Sequence, residues 1–214
     1  MLSAEQIEQN YKTFRATIDK LFPTRREALN EMYDDLGERI IMAPASSFEH
    51  YHNAFPGGYV DHVLRVVKFS VSEYNNWKND GLKVDNFSME ELLFAAFHHD
   101  LGKMGLPGDD MYSYTPNESE WHRKNMGKMY DHNSNVPFSL VPDNSLFLLQ
   151  YYGVPYSWSE FLAIRTHDGL YDEANKPYFL SRVTDTRPKT NINQILHQAD
   201  YKAARFEFEQ WAIE

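Results

Sequence analysis

The chain has 214 residues and no cysteine, which suits one domain with a substantial core, excludes disulfides and thiolate metal sites, and fits a cytoplasmic protein. Its 31 acidic and 21 basic residues leave a formal charge of −10, the wrong sign for tight binding to long nucleic acid, where Lys and Arg must neutralise phosphates. The amino terminus is polar, and no window approaches the roughly 18 apolar residues of a bilayer span, so no membrane association is expected.

From the amino terminus, residues 4–20 carry Ile7, Tyr11, Phe14 and Ile18 at helical spacing, with Leu21 completing the stripe. A second stripe, Leu29, Met32, Tyr33, Leu36 and Ile40, ends before Pro44. These two helices predict an amino-terminal hairpin over residues 1–43, packed on a main unit over 44–214. A long irregular connection with His50 and His52 follows, and its length suggests function rather than mere joining. Gly57-Gly58 opens a helix that runs to about Trp77, with His62 in its first turn.

Ser88-Met-Glu-Glu91 is a capping box that starts an apolar helix. Leu92, Ala95, Ala96 and His99 share one face, so His99 points inward and His98 away. Neighbouring side chains on a regular helix diverge by about 100°, so His99 and Asp100 converge only if the helix ends there. Gly102 is expected to end it in the left-handed conformation. Residues 104–115 read as a loop, a candidate lid, before Thr115-Pro-Asn-Glu118 caps a helix that carries Trp121, His122, Met126, Met129 and Tyr130. Asp143 starts a helix stopped by Gly153; Ser157-Trp-Ser-Glu160 starts another, which delivers His167 at its end. Residues 170–189 have no helical period and read as an extended excursion. Asn191 then caps the last helix, whose buried stripe is Ile192, Ile195, Leu196, Ala199, Ala203 and Phe206. Asp200 lies within that stripe, and a carboxylate there needs a partner, for which a metal ion is the most economical choice.

His98-His99-Asp100-Leu101-Gly102-Lys103 resembles the signature of the HD superfamily of metal-dependent phosphohydrolases. Pro56-Gly-Gly-Tyr-Val-Asp-His62 resembles that family's earlier His, and Ile195-Leu-His-Gln-Ala-Asp200 its late Asp, all in the expected order. The run from His52 to His62 is similar to the HD domain of certain 3′-to-5′ exoribonucleases. The resemblance implies an all-α HD-domain bundle of about eight helices with long irregular loops, in agreement with the elements read above.

It further implies that His62, His99, Asp100 and Asp200 hold a divalent ion (Mn, Fe, Co, Mg, Ni or Zn). A second ion would need two more histidines from His122, His132 and His167, and Val141-Pro-Asp-Asn-Ser145 lacks one where relatives with two ions carry it, so one ion is expected and two are the alternative. Asp100, Lys103, His122 and His167 are the candidate catalytic groups; Arg65, Lys103, His122, Arg123 and Lys124 are candidates for binding phosphate. The expected activity is phosphoric ester hydrolysis on a small phosphorylated partner, a nucleoside mono- or triphosphate. Alternatives are phosphodiesterase or 3′-to-5′ exonuclease action on RNA ends or on cyclic or linear oligonucleotides, and a regulatory module that binds a nucleotide without turnover. Self-association of the chain is left open.

Overall fold

A computed structural model describes residues 1–213 of the chain. Helix accounts for 61% of it, in ten α-helices among the described residues, beside one small two-stranded sheet, so the class is all-α. In chain order the helices are α1 (Ala4–Leu21), α2 (Arg26–Asp35), α3 (Gly37–Met42), α4 (Gly58–Asn79), α5 (Met89–His98), α6 (Glu120–Met126), α7 (Val141–Tyr151), α8 (Trp158–Thr166), α9 (Lys176–Leu180) and α10 (Ile192–Ile213). Strands β1 (Tyr114–Pro116) and β2 (Tyr130–His132) flank α6 and pair antiparallel, with Tyr114 opposite His132 and Pro116 opposite Tyr130. Among the described residues no helix is long and apolar enough to cross a membrane.

The centre of the molecule is α5. Both halves of its capping box form, with the Ser88 hydroxyl accepting from Glu91 N–H and the Glu91 carboxylate from Ser88 N–H. Every residue from Leu92 to His98 is buried, because α4 packs on one side and α8 on the other, while α10 spans α4 and α8. A helix enclosed in this way is apolar all round. His98 points away from His99, as its helical position requires. Its Nδ1–H donates to Phe94 O at 2.6 Å, and its Nε2 lies 2.7 Å from the Tyr33 hydroxyl of α2. Burial drives the His98 ring down to about 3, so this imidazole is neutral. Phe14 and Ile18 of α1, Phe22 just after it, and Leu29 and Met32 of α2 join the same hydrophobic core as α4, α5, α8 and α10.

Several elements depart from their sequence-based expectations. The stripe at 29–40 is divided between α2 and α3, with Leu36 as the break. Thr115-Pro116 lies in β1 rather than capping a helix; Ser119 takes that role, its hydroxyl accepting from His122 N–H, and Tyr130 belongs to β2. The pairing of β1 with β2 outweighs the local capping signal. Helix α7 begins at Val141 with Pro142 in its first turn, where a missing N–H costs nothing. Residues 170–189 include 3₁₀ turns and α9 rather than a wholly extended run. The Asn191 side chain donates to Lys83 O, while Thr190 Oγ1 accepts from Ile192 N–H at the start of α10. Phe206 is 43% exposed; on the face Ala199, Ala203, the next residue buried is Glu207.

Candidate metal centre

Three helices deliver the candidate ligands. Gly57 enters α4 at φ +79°, and Gly58 must lack a side chain because a Cβ there would stand 2.1 Å from Asn53 O. His62 follows one turn later, fully buried. His99 still has helical φ and ψ, whereas Asp100 turns to φ −102°, ψ 8° and starts a 3₁₀ turn over Leu101–Met104. That tightening brings two consecutive side chains onto one point. Asp200 arrives from α10.

Gly102 serves this turn differently from expectation: it is not among the positive-φ glycines. Helix α7 passes so close that a Cβ on Gly102 would lie 2.2 Å from Val141 O and 2.9 Å from the Ser145 nitrogen. Close approach, not handedness, demands glycine here. Helix α7 also clamps the turn: Ser145 Oγ accepts from Gly102 N–H at 2.7 Å and donates to His99 O at 2.9 Å, and Asn144 Nδ2 donates to Gly102 O and Gly105 O.

The donor atoms converge. His62 Nε2 lies 3.1 Å from Asp200 Oδ1 and 3.6 Å from Asp100 Oδ2. His99 Nε2 lies 3.7 Å from Asp200 Oδ1 and 3.6 Å from Asp100 Oδ2. His167, at the end of α8, places Nε2 3.6 Å from Asp100 Oδ1. Each of the three rings is oriented through its other nitrogen: Nδ1 of His62 faces the Glu207 carboxylate at 3.1 Å, that of His99 faces Ala96 O at 2.8 Å, and that of His167 faces Ile164 O at 2.8 Å. An acceptor at Nδ1 keeps the proton there and turns Nε2 toward the cluster. The Nε2 atoms of His62 and His99 are buried and make no aligned hydrogen bond, a state that buried polar atoms rarely adopt unless another ligand satisfies them.

These side chains could hold a metal ion: the ligand atoms of His62, His99 and Asp200, and likewise those of His99, Asp100 and His167, all lie within 4.8 Å of one another. Both aspartates are ionised. Burial alone would raise Asp100, but Lys103, His99 and His167 hold it well below the usual carboxylate range. His62 and His99 do the same for Asp200. Burial would lower His167, yet Asp168 and Asp100 carry it up to about 9. Asp200 keeps 21% of its side chain exposed, against 6% or less for Asp100, His62 and His99, so the cluster meets solvent on that side.

The remaining sequence candidates separate into two groups. Lys103 Nζ sits 2.5 Å from Asp100 Oδ2 and belongs to the cluster. Arg65 is engaged behind it, pairing with Asp61 at 2.9 Å and with Glu207. On α6, Arg123 donates to Asn117 O, Lys124 pairs with Glu120 at 2.5 Å, and His122 is exposed beside Trp121. No contact joins these three to the cluster among the described residues. Nor does His132 join it: this exposed residue lies with its ring 5.2 Å from that of Tyr114, tilted by 36°. His50 is exposed, whereas the His52 ring packs 4.9 Å from that of His62.

Sequence reasoning missed Glu207, Ser145 and Asn144. Glu207 carried a signal, since it continues the small-residue face Ala199, Ala203 at helical spacing as an acidic residue. Ser145 and Asn144 carried none, because their roles depend on how α7 docks. No protein family, curated protein or solved structure compared with the chain matches it.

Proposed function

We propose that the chain is a metal-dependent phosphohydrolase of the HD type that removes phosphate from a nucleoside mono- or triphosphate. The observation that carries this reading is the convergence of His62 Nε2, His99 Nε2, Asp100 Oδ2 and Asp200 Oδ1, with nitrogen–oxygen separations of 3.1–3.7 Å, around two imidazole nitrogens that lack an aligned hydrogen bond. Two imidazoles with two carboxylates suit Mn, Fe, Co, Ni or Zn better than an all-oxygen Ca site. A divalent ion held there would supply Lewis acidity toward water and toward the phosphoryl group.

The protein's own groups divide the remaining work. Asp100 presents Oδ2 to His62 and His99 and turns Oδ1 toward His167, so Oδ1 can orient a water by accepting its hydrogen bond. Lys103, whose ammonium Asp100 holds in place, neutralises a phosphate oxygen. Burial would lower His167, but Asp168 and Asp100 raise it to about 9, which suits its Nε2 to give a proton to the leaving oxygen. One ion is favoured over two, since of His122, His132 and His167 only His167 forms a candidate metal group among the described residues.

The test is phosphate release from ribo- and deoxynucleoside mono- and triphosphates with Mn, Co, Mg or Zn, beside Asp100→Ala. Release by the native chain and none by the variant is expected. No release despite bound metal would redirect the reading to phosphodiesters. No release and no metal binding would refute it.

A further inference from the structure

Beside the metal centre lies a cleft of about 390 Å³ whose character differs from the centre itself. Tyr112, Tyr114 and Tyr130 line it together with Pro44 and Pro116, and Lys103 forms part of its wall. The sequence builds this wall deliberately. Pairing of β1 with β2 sets Pro116 opposite Tyr130 and places Tyr114 two residues away in the same strand. The Arg39 guanidinium of α3 holds the far side by donating to the carbonyls of Met104, Leu106 and Gly108, which fixes the loop that leads to Tyr112. Burial raises the phenols of Tyr114 and Tyr130, as expected for rings held in an apolar wall.

A free phosphate has no use for such a surface. Concave sites of roughly 300–1,000 Å³ lined by aromatic side chains with a few polar groups are typical of small organic ligands, and tyrosine faces bind planar bases irrespective of sequence. The cleft also has a polar end. Lys103 lines it, and the same ammonium lies 2.5 Å from Asp100 Oδ2. One residue therefore touches both the aromatic cleft and the His/Asp cluster.

We infer that this cleft binds the nucleobase of a nucleotide whose phosphate lies at Lys103 and the cluster. The placement of the phosphate rests on the hydrolase reading; the binding of the base does not. Tyr112, which is 37% exposed, contributes a ring that can be removed without opening the core. Met42 stands at the rim, 54% exposed.

The experiment uses the full chain freed of metal by a chelator and then dialysed. Adenosine, guanosine, cytidine, uridine and ribose are titrated by calorimetry and by saturation-transfer NMR, with 5′-monophosphates as competitors. At least one nucleoside is expected to bind, ribose is not, and the matching monophosphate displaces the nucleoside. Tyr112→Ala should weaken nucleoside binding roughly 5- to 150-fold, the usual loss when a stacking ring is removed. Tyr112→Phe should stay within about twofold, because the ring and not the hydroxyl stacks. Met42→Glu, an exposed change that puts a carboxylate at the rim, gives a second variant that should also weaken binding. Absence of nucleoside binding, or wild-type affinity in both Tyr112→Ala and Met42→Glu, overturns the inference. Because the readout needs neither metal nor turnover, nucleoside binding with neither phosphate release nor metal binding would sink the hydrolase reading and leave the base cleft standing. Phosphate release without nucleoside binding would do the reverse.

Discussion

Replacing Glu207 isolates the group that aims His62. Its side chain is 1% exposed, with one carboxylate oxygen 3.1 Å from His62 Nδ1 and the other bonded to Arg65. In Glu207→Ala, His62 Nδ1–H loses its acceptor and Arg65 retains only Asp61. Breaking a buried ion pair costs about 3–5 kcal/mol, and the surviving Asp61 contact places this case near the lower end. For a domain of this size that corresponds to a fall in Tm of roughly 6–12 °C. Loss of a partner that orients a metal-bound histidine weakens metal affinity about 10- to 100-fold, or roughly 1.4–2.7 kcal/mol.

Glu207→Gln divides the two effects. It keeps the volume and an oxygen that can accept from His62 Nδ1–H, but not the charge that faces Arg65. Its Tm should fall with that of the alanine variant, while its metal affinity should stay closer to wild type. The assay is thermal unfolding of metal-free protein together with Mn or Zn competition against a chromophoric chelator. A Glu207→Ala variant with metal affinity within about twofold of wild type would refute the claim that Glu207 aims a metal ligand.

Four further outcomes follow from the geometry. Gly102→Ala places a Cβ 2.2 Å from Val141 O; a loss of about 1–3 kcal/mol in urea unfolding is expected, with weaker metal binding because the His99–Asp100 turn must move. Tyr33→Phe leaves buried His98 Nε2 without its donor at 2.7 Å and should cost about 1–3 kcal/mol in the same assay. Glu91→Ala removes half of the α5 capping box and should cost about 0.5–2 kcal/mol at neutral pH. The Ser157, Ser88 and Arg25 contacts outweigh burial and hold the Glu91 carboxyl below its ordinary 4.5 in the folded chain. The unfolded chain therefore takes up this proton first, so the Glu91 contribution is present above 4.5, fades as the pH falls below it, and the gap between variant and wild type should narrow there. Finally, an ion at about 1,000 times its Kd stabilises by about 4 kcal/mol, so chelation should lower Tm by roughly 8–16 °C, and Asp200→Asn should abolish most of that difference.

The parts of the site legible in the sequence are those fixed locally. The α5 capping box and its apolar face place His99 inward and His98 away, and the structure shows both. Asp200 announced itself as a carboxylate in an apolar stripe, and it meets His62 and His99. What the sequence hid depends on docking. Gly102 drew attention for its handedness, yet its necessity comes from α7, 39 residues or more further along the chain. The capping signal at Thr115 was real chemistry overridden by a partner strand. Phe206 looked like the end of a buried stripe, but the helix turns that face to solvent and gives the interior position to Glu207, which meets His62 Nδ1 and the Arg65 guanidinium there.

The first 43 residues illustrate how far such dependence extends. By sequence they form two helices with no candidate ligand, and a reader of motifs would set them aside. In the folded chain Asn10 of α1 faces Asp61 at 3.4 Å, Asp61 pairs with Arg65, Arg65 with Glu207, and Glu207 with His62 Nδ1. Tyr33 of α2 meets His98, the residue beside His99. Arg39 of α3 holds the loop that follows Lys103. Each of the three helices thus joins a path of contacts that leads to the cluster or to the segment that carries it. Their shared role is to restrict the rings and turns that aim its donor atoms, and they do so from the same core that buries α5.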